Sequence, residues 1–156
     1  MSFAEKYPDV GHIVDISHEQ PPYDPESLGS EIAYHKCKEA SLWRLRKNWY
    51  AYTVAVPTVS KIPPTLYEVH NFIELIDKII SEQPKDVKRP CIAVHCHYGF
   101  NRTGFFLVSY LIERLGLSVP QALAAFKKVR DPGIRHPHFI NELFERYTLG
   151  IDRTAS

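Results

Sequence analysis

Apolar residues recur at steps of three and four from Leu66 through Val69, Phe72, Ile73, Ile76, Ile79 and Ile80. This spacing predicts a helix over about 65–82 with one buried face and Thr65 as its cap. A second helical pattern runs from Phe105 to Leu115 and stops at Gly116. Ser118-Val119-Pro120-Gln121 then reads as a capping box with proline in the first turn. The helix it opens turns Ala122, Leu123, Ala125, Phe126 and Val129 inward and closes at Arg130, and a last helix covers Phe139 to Tyr147. A short helix over 2–8, ended by Pro8, precedes them. Three segments read as strands: Ile13–Ile16, the alternating Trp49–Val56, and the continuous apolar run Cys91–His95. The last suits a central strand buried on both faces, as parallel strands are. Residues 30–38 fit strand or helix, with Ala, Glu and Lys favouring helix. Residues 20–25 carry three prolines and form a loop, as do the stiff 57–64 stretch, the polar 84–90 stretch and 131–138. This alternation predicts an α/β fold, with a mixed or parallel sheet of about four or five strands and helices on both faces.

Length changes this picture little: 156 residues, 44% hydrophobic, suit one domain over 1–156, standing alone or cut from a longer protein. A net charge of +1 excludes binding of nucleic acid by overall charge, so any basic surface is local. Three cysteines without close spacing point to a reducing, intracellular compartment. Five residues of strand span about 16 Å, too far for Cys91 to pair with Cys96. Cys91 reads as core and Cys37 as inert. The chain has no apolar run of 18 residues and no secretory leader pattern at its start, so no membrane association is expected.

Candidate chemistry sits in His95-Cys96-His97-Tyr98-Gly99-Phe100-Asn101-Arg102-Thr103-Gly104, between the apolar run and the following helix. A strand, a tight loop and a helix N-terminus in that order make a nest of backbone N–H groups for an oxyanion. The helix end adds partial positive charge, which favours the thiolate of Cys96. Arg102 offers a planar fork for two phosphate oxygens. Thr103 is placed to hydrogen-bond the sulfur as it leaves, and the loop residues 97–101 line the nest. Gly99 and Gly104 permit close approach of backbone to anion and of helix to strand. His95 reads as a hydrogen-bonding support of the loop. Asp15 reads as a strand-end carboxylate satisfied by backbone donors.

At these residues the sequence resembles the cysteine-dependent phosphatases, whose signature is His-Cys-x5-Arg-Thr-Gly, and the small domain resembles their dual-specificity branch. More narrowly, His97-Tyr98-Gly99-Phe100-Asn101-Arg102-Thr103-Gly104-Phe105 is similar to the loop of the RNA 5′-triphosphatase domains of metazoan capping enzymes. Asn101 before the arginine is the discriminating residue; protein-directed members more often carry Ser or Gly there. The likeness covers about 10–148 and is strongest from 62 onward. It implies a small dual-specificity-phosphatase-like domain working through a phosphocysteine, with no metal or cofactor. Its partner is then a phosphorylated substrate, such as an RNA 5′ end, in nucleus or cytoplasm.

In most protein-directed members the 57–64 loop carries an aspartate that protonates the leaving group, worth about 10²–10⁴-fold. Here no acid occurs between Glu39 and Glu68. A departing β-phosphate is already a stabilised anion and profits from cations rather than a proton. Capping-enzyme phosphatases lack the acid and carry a lysine in this loop, which points to Lys61, evenly matched against a solvated lysine. Related triphosphatases hold the distal phosphates with a basic side chain after the next helix, which implies Arg130, Arg135 and His136, equally open to reading as surface charge. His136 and His138 have no Cys or acid at metal-ligand spacing. The basic stretch Trp43-Arg44-Leu45-Arg46-Lys47 beside Trp49, Tyr50 and Tyr52 fits a basic face over an aromatic core, with single-stranded nucleic acid as the second reading. Three activities follow: removal of the γ-phosphate from RNA 5′-triphosphate ends or a related polyphosphate, a dual-specificity protein phosphatase with an unrecognised acid (Asp131 being the candidate), or a weakly catalytic phosphate-binding module.

Overall fold

The computed structural model describes residues 3–17, 20–37, 61–83 and 91–148. The expected strand over Trp49–Val56, the basic stretch 43–47 and the first residues of the 57–64 loop lie outside them. The fold is α/β, with helix α1 (Phe3–Lys6), strand β1 (Val10–Asp15), a 3₁₀ turn (Pro25–Leu28), β2 (Ala33–Lys36), α2 (Leu66–Glu82), β3 (Cys91–His95), α3 (Asn101–Leu115), α4 (Val119–Val129) and α5 (Pro137–Thr148). Two compact units divide it. One comprises 1–59 and 74–97, the other 60–73 and 98–156, so α2 contributes to both.

The first unit holds the sheet. The three described strands run parallel in the order β2-β1-β3. Ile13, Val14 and Asp15 of the central strand are all within 3% of full burial. Ile13, Leu28 and Ile32 form a core joined by Phe3, Val10, Tyr23, Tyr34 and Ala93. Residues 33–36, which fit strand or helix by sequence, form a strand, because pairing of Tyr34 with Ile13 and of Lys36 with Asp15 outweighs local propensity. Cys91–His95 is an edge of the described sheet, half-buried along its length, and its first residue Cys91 is exposed rather than core. β1 is the middle one of the three described strands.

In the second unit the helices meet through aromatic pairs. Phe72 and Phe106 ring centroids lie 5.0 Å apart, and Phe105 meets Phe139 edge-on at 6.1 Å. Thr65 caps α2, and Ser118 with Gln121 forms the expected capping box of α4. α5 starts at Pro137, two residues before the pattern suggested, because proline suits the first helical position. The apolar stripe of α4 is narrower than expected. Val119, Ala122 and Phe126 are buried, Ala125 is exposed, and Val129, the last residue of the helix, is 81% exposed. Leu66, the first residue of α2, is also exposed. Among the described residues no helix is long and apolar enough to cross a membrane.

Gly104 is where α3 is crowded. A Cβ there would stand 2.6 Å from both Ile134 Cγ1 and Phe126 Cε1, two buried side chains. Gly104→Ala should therefore destabilise the protein by about 1–3 kcal/mol through overpacking, read as a lower urea midpoint at unchanged slope.

Candidate functional site

The last residues of the three strands form one row. Asp15 pairs with Lys36 on one side and His95 on the other. In parallel sheets the carboxyl ends of the strands are where ligands bind. The Asp15 side chain is fully buried, and side chains as well as backbone satisfy it. Oδ1 accepts from the Ser17 backbone N–H at 2.8 Å and the Ser17 hydroxyl at 2.5 Å. Oδ2 accepts from the Tyr34 hydroxyl at 2.6 Å and Lys36 Nζ at 2.8 Å. Burial alone would raise the Asp15 pKa, but these bonds from Lys36, Ser17 and Tyr34 outweigh it and hold the group below the usual carboxylate range. Burial, then the Asp15 hydrogen bond, push the Tyr34 hydroxyl well above its ordinary pKa.

His95 ends this row, with Nδ1 4.0 Å from Asp15 Oδ1. Nδ1 also lies 3.2 Å from the Cys96 carbonyl oxygen, and Nε2 lies 2.6 Å from the Tyr23 hydroxyl. A carbonyl only accepts, so Nδ1 carries the proton and, in the neutral ring, Nε2 accepts from Tyr23. Burial and then the Asp15 charge raise the Tyr23 pKa, keeping that hydroxyl a donor. His95 therefore anchors the backbone of Cys96, which is half-buried. Cys37 is a different kind of thiol, pushed up to about 11 by burial and then by Asp15. None of the three cysteines is in a disulfide.

His97, the last residue of the first unit, is exposed, and the second unit holds the remainder of the loop, where Tyr98 is exposed by 70%. Gly99 takes φ +72°, a conformation that favours glycine. Phe100 stands at the N-cap of α3 and makes no side-chain capping bond, so no Phe100 side-chain cap occupies the N–H groups that open the helix. The Asn101 side-chain oxygen accepts from the backbone N–H groups of Arg135 at 2.8 Å and His136 at 3.0 Å. Arg135 and Arg130 both lie against the Phe100 ring, their guanidinium carbons 3.7 and 4.2 Å from its centroid. Arg130 also reaches the Tyr98 and Gly99 carbonyl oxygens at 3.4 and 3.5 Å. Two cations on one ring repel each other, an arrangement that an anion beside them relieves.

Arg102 and Thr103, in the first turn of α3, are buried. Arg102 Nη2 donates to Glu68 Oε1 at 2.9 Å. The His136 ring stacks on His138 at 5.3 Å, and His138 Nε2 donates to the Lys61 carbonyl oxygen at 2.6 Å. The Lys61 backbone is thus tied to the start of α5, while the residue itself is exposed. Within this unit the structure gathers Tyr98, Gly99, Phe100, Asn101, Arg130, Arg135 and His136 about the start of α3. Among the described residues no group of three or more His, Cys, Asp or Glu is placed to hold a metal ion.

Sequence reasoning missed Tyr23, Tyr34, Lys36 and Glu68. The first three meet Asp15 and His95 only through strand pairing and the 16–32 connection, which no local pattern reveals. Glu68 left a signal, Thr65-x-x-Glu68, the form of a capping box.

Residues 10–148 match the family model described as the dual specificity phosphatase, catalytic domain. The mRNA-capping enzyme of Danio rerio is 42% identical over 84 residues, 54% of this chain and 13% of that protein. The human RNA/RNP complex-1-interacting phosphatase is 25% identical over 139 residues, 89% of this chain and 36% of that protein. The chain therefore spans a minor part of the length of these relatives. The crystal structure of human DUSP28 shares the fold, with a TM-score of 0.62 at 17% identity over 92% of this chain and 82% of that one.

Asp15 generates a pH prediction. Its folded pKa is depressed, so its stabilisation is complete above the ordinary carboxylate range and is lost as pH falls through the folded value. Asp15→Asn should cost roughly 2–4 kcal/mol at pH 7 by stranding Lys36 and Tyr34. It should also flatten the acid limb of a stability–pH profile measured by urea denaturation.

Proposed function

The chain belongs to the dual specificity phosphatase family, and on that premise we propose that this cysteine-dependent phosphatase removes the γ-phosphate from RNA 5′-triphosphate ends or a closely related polyphosphate. The observation that carries the reading is the pair of guanidiniums, Arg130 and Arg135, held on Phe100 beside an Asn101 that ties down the loop bearing Arg135. Such a concentration of positive charge suits a chain of phosphates better than one phosphomonoester. The likeness to capping enzymes supports the same substrate class. So does the lack of any acid between Glu39 and Glu68, since a β-phosphate leaves without a proton.

In this mechanism the Cys96 thiolate attacks the γ-phosphorus. The bond from that phosphorus to the β-phosphate oxygen breaks, and a diphosphate-ended RNA departs with the electron pair. The loop N–H groups of 97–102 and the Arg102 guanidinium stabilise the equatorial oxygens. Water then attacks phosphorus in the phosphocysteine. The sulfur leaves as thiolate with a hydrogen bond from Thr103, and the water's protons remain on phosphate and solvent. His95 positions the Cys96 backbone through its carbonyl. Arg130, Arg135, His136 and Lys61 are the proposed supports of the distal phosphates. An RNA 5′ end as substrate places the work in nucleus or cytoplasm.

The test is phosphate release in chelator from triphosphate-ended RNA and from a phosphotyrosine peptide in parallel. The expected outcome is preference for the RNA, lost by several orders of magnitude in Cys96→Ser and reduced roughly 10-fold or more in Arg130→Ala/Arg135→Ala. Preference for the peptide would establish the protein-phosphatase reading instead, and retention of both ligands without turnover would establish a binding module.

A further inference from the structure

Glu68 performs two tasks with one carboxylate. It is the third helical residue of α2, and Oε2 accepts from the Thr65 backbone N–H at 2.7 Å and the Thr65 hydroxyl at 3.0 Å. In return the Glu68 backbone N–H donates to Thr65 Oγ1 at 3.2 Å, completing the capping box. Oε2 is thereby committed to the helix end, which fixes where Oε1 lies. Oε1 accepts from Arg102 Nη2 at 2.9 Å. Burial would raise the Glu68 pKa, but the Thr65 N–H and the Arg102 charge outweigh it, so the group stays ionised.

The partner residue is unfinished. Arg102 is 6% exposed, and its Nε is buried with no hydrogen-bond partner among the described residues. The guanidinium carbon lies 5.8 Å from the Phe106 ring centroid, and Phe106 is itself packed on Phe72, so the plane has little room to turn. A buried charged donor without an acceptor is costly, and such groups persist where a ligand supplies the acceptor. One end of the fork is therefore held by Glu68, while Nε is kept open.

We propose that Glu68 is a positioning residue of the phosphatase reaction: it clamps one nitrogen of Arg102 so that the buried Nε is presented to an oxygen of the transferring phosphoryl group. This rests on the reading of Arg102 as phosphoryl-binding. Glutamine serves a capping box as well as glutamate does. It cannot do both tasks here, because an amide has one acceptor oxygen where the carboxylate has two. Glu68→Gln also removes a negative charge beside Arg102, so a resting oxyanion is still attracted while the alignment needed in the transition state is lost.

The experiment compares wild type, Glu68→Gln, Thr65→Ala and Arg102→Ala by turnover of triphosphate-ended RNA, thermal midpoint, and calorimetric binding of inorganic phosphate and of vanadate. Vanadate adopts the five-coordinate shape of the transferring group. Glu68→Gln should lower kcat by roughly 10–100-fold and weaken vanadate in parallel, with phosphate affinity changed less than about threefold. Thr65→Ala keeps the backbone N–H that holds Oε2 at 2.7 Å and loses only the hydroxyl bonds of the cap, so it should lower the thermal midpoint and leave the Arg102 clamp in place. Wild-type kcat in Glu68→Gln would overturn the proposal. So would equal weakening of phosphate and vanadate together with a lower midpoint, which is what mere structural damage gives. Undiminished vanadate binding in Arg102→Ala would instead overturn the underlying reading of Arg102. Its loss there, with Glu68→Gln unaffected, would remove the role of Glu68 alone.

Discussion

A carboxylate shut away from water must be surrounded by donors, and at Asp15 that requirement organises the whole end of the sheet. The central strand brings the charge into the interior. Ser17, Tyr34 and Lys36 are then needed to satisfy it, and two of the three come from the neighbouring strand. The same row delivers His95, whose ring is oriented between Tyr23 and the Cys96 carbonyl. Loss of the Asp15 charge would release Lys36 and Tyr34 at once, and with them the fixed surroundings of the histidine that precedes the cysteine.

The second unit solves a different electrostatic problem, that of keeping three guanidiniums with one carboxylate among them. Arg102 is partly neutralised by Glu68. Arg130 and Arg135 are held on an aromatic face, with no ion pair to an acid among the described residues. Asn101 secures the backbone that carries Arg135. The result is a helix start at which Phe100 makes no side-chain capping bond, with two guanidiniums close to it.

Much of this was legible beforehand. The helices followed from three-and-four periodicity and from the Ser118–Gln121 box, because those signals are local. Cys96, Arg102 and Asn101 stood out because strand, loop and helix coincide with a spacing that resembles a known family. Strand β2 was legible only as one of two readings, since Ala33–Lys36 gains its conformation from pairing with β1 and not from its own composition. The exposure of Cys91 and Val129 depends on where an element ends, which periodicity does not specify. The Asp15 network was invisible for a related reason. Residues 15, 23, 34 and 95 are distant in sequence and meet only through parallel register and the connection that carries Tyr23. Glu68 was half visible, as a cap, but its second bond to Arg102 required the packing of two helices.

The proposed catalysis passes through a phosphocysteine on Cys96. The most direct measurement is a rapid acid quench of the protein mixed in chelator with RNA labelled at the γ-phosphate, followed by peptide mapping. Stoichiometric label on the Cys96 peptide should form before free phosphate and decay as phosphate appears. Label on another residue, or phosphate release with no labelled protein at any time point, would contradict it.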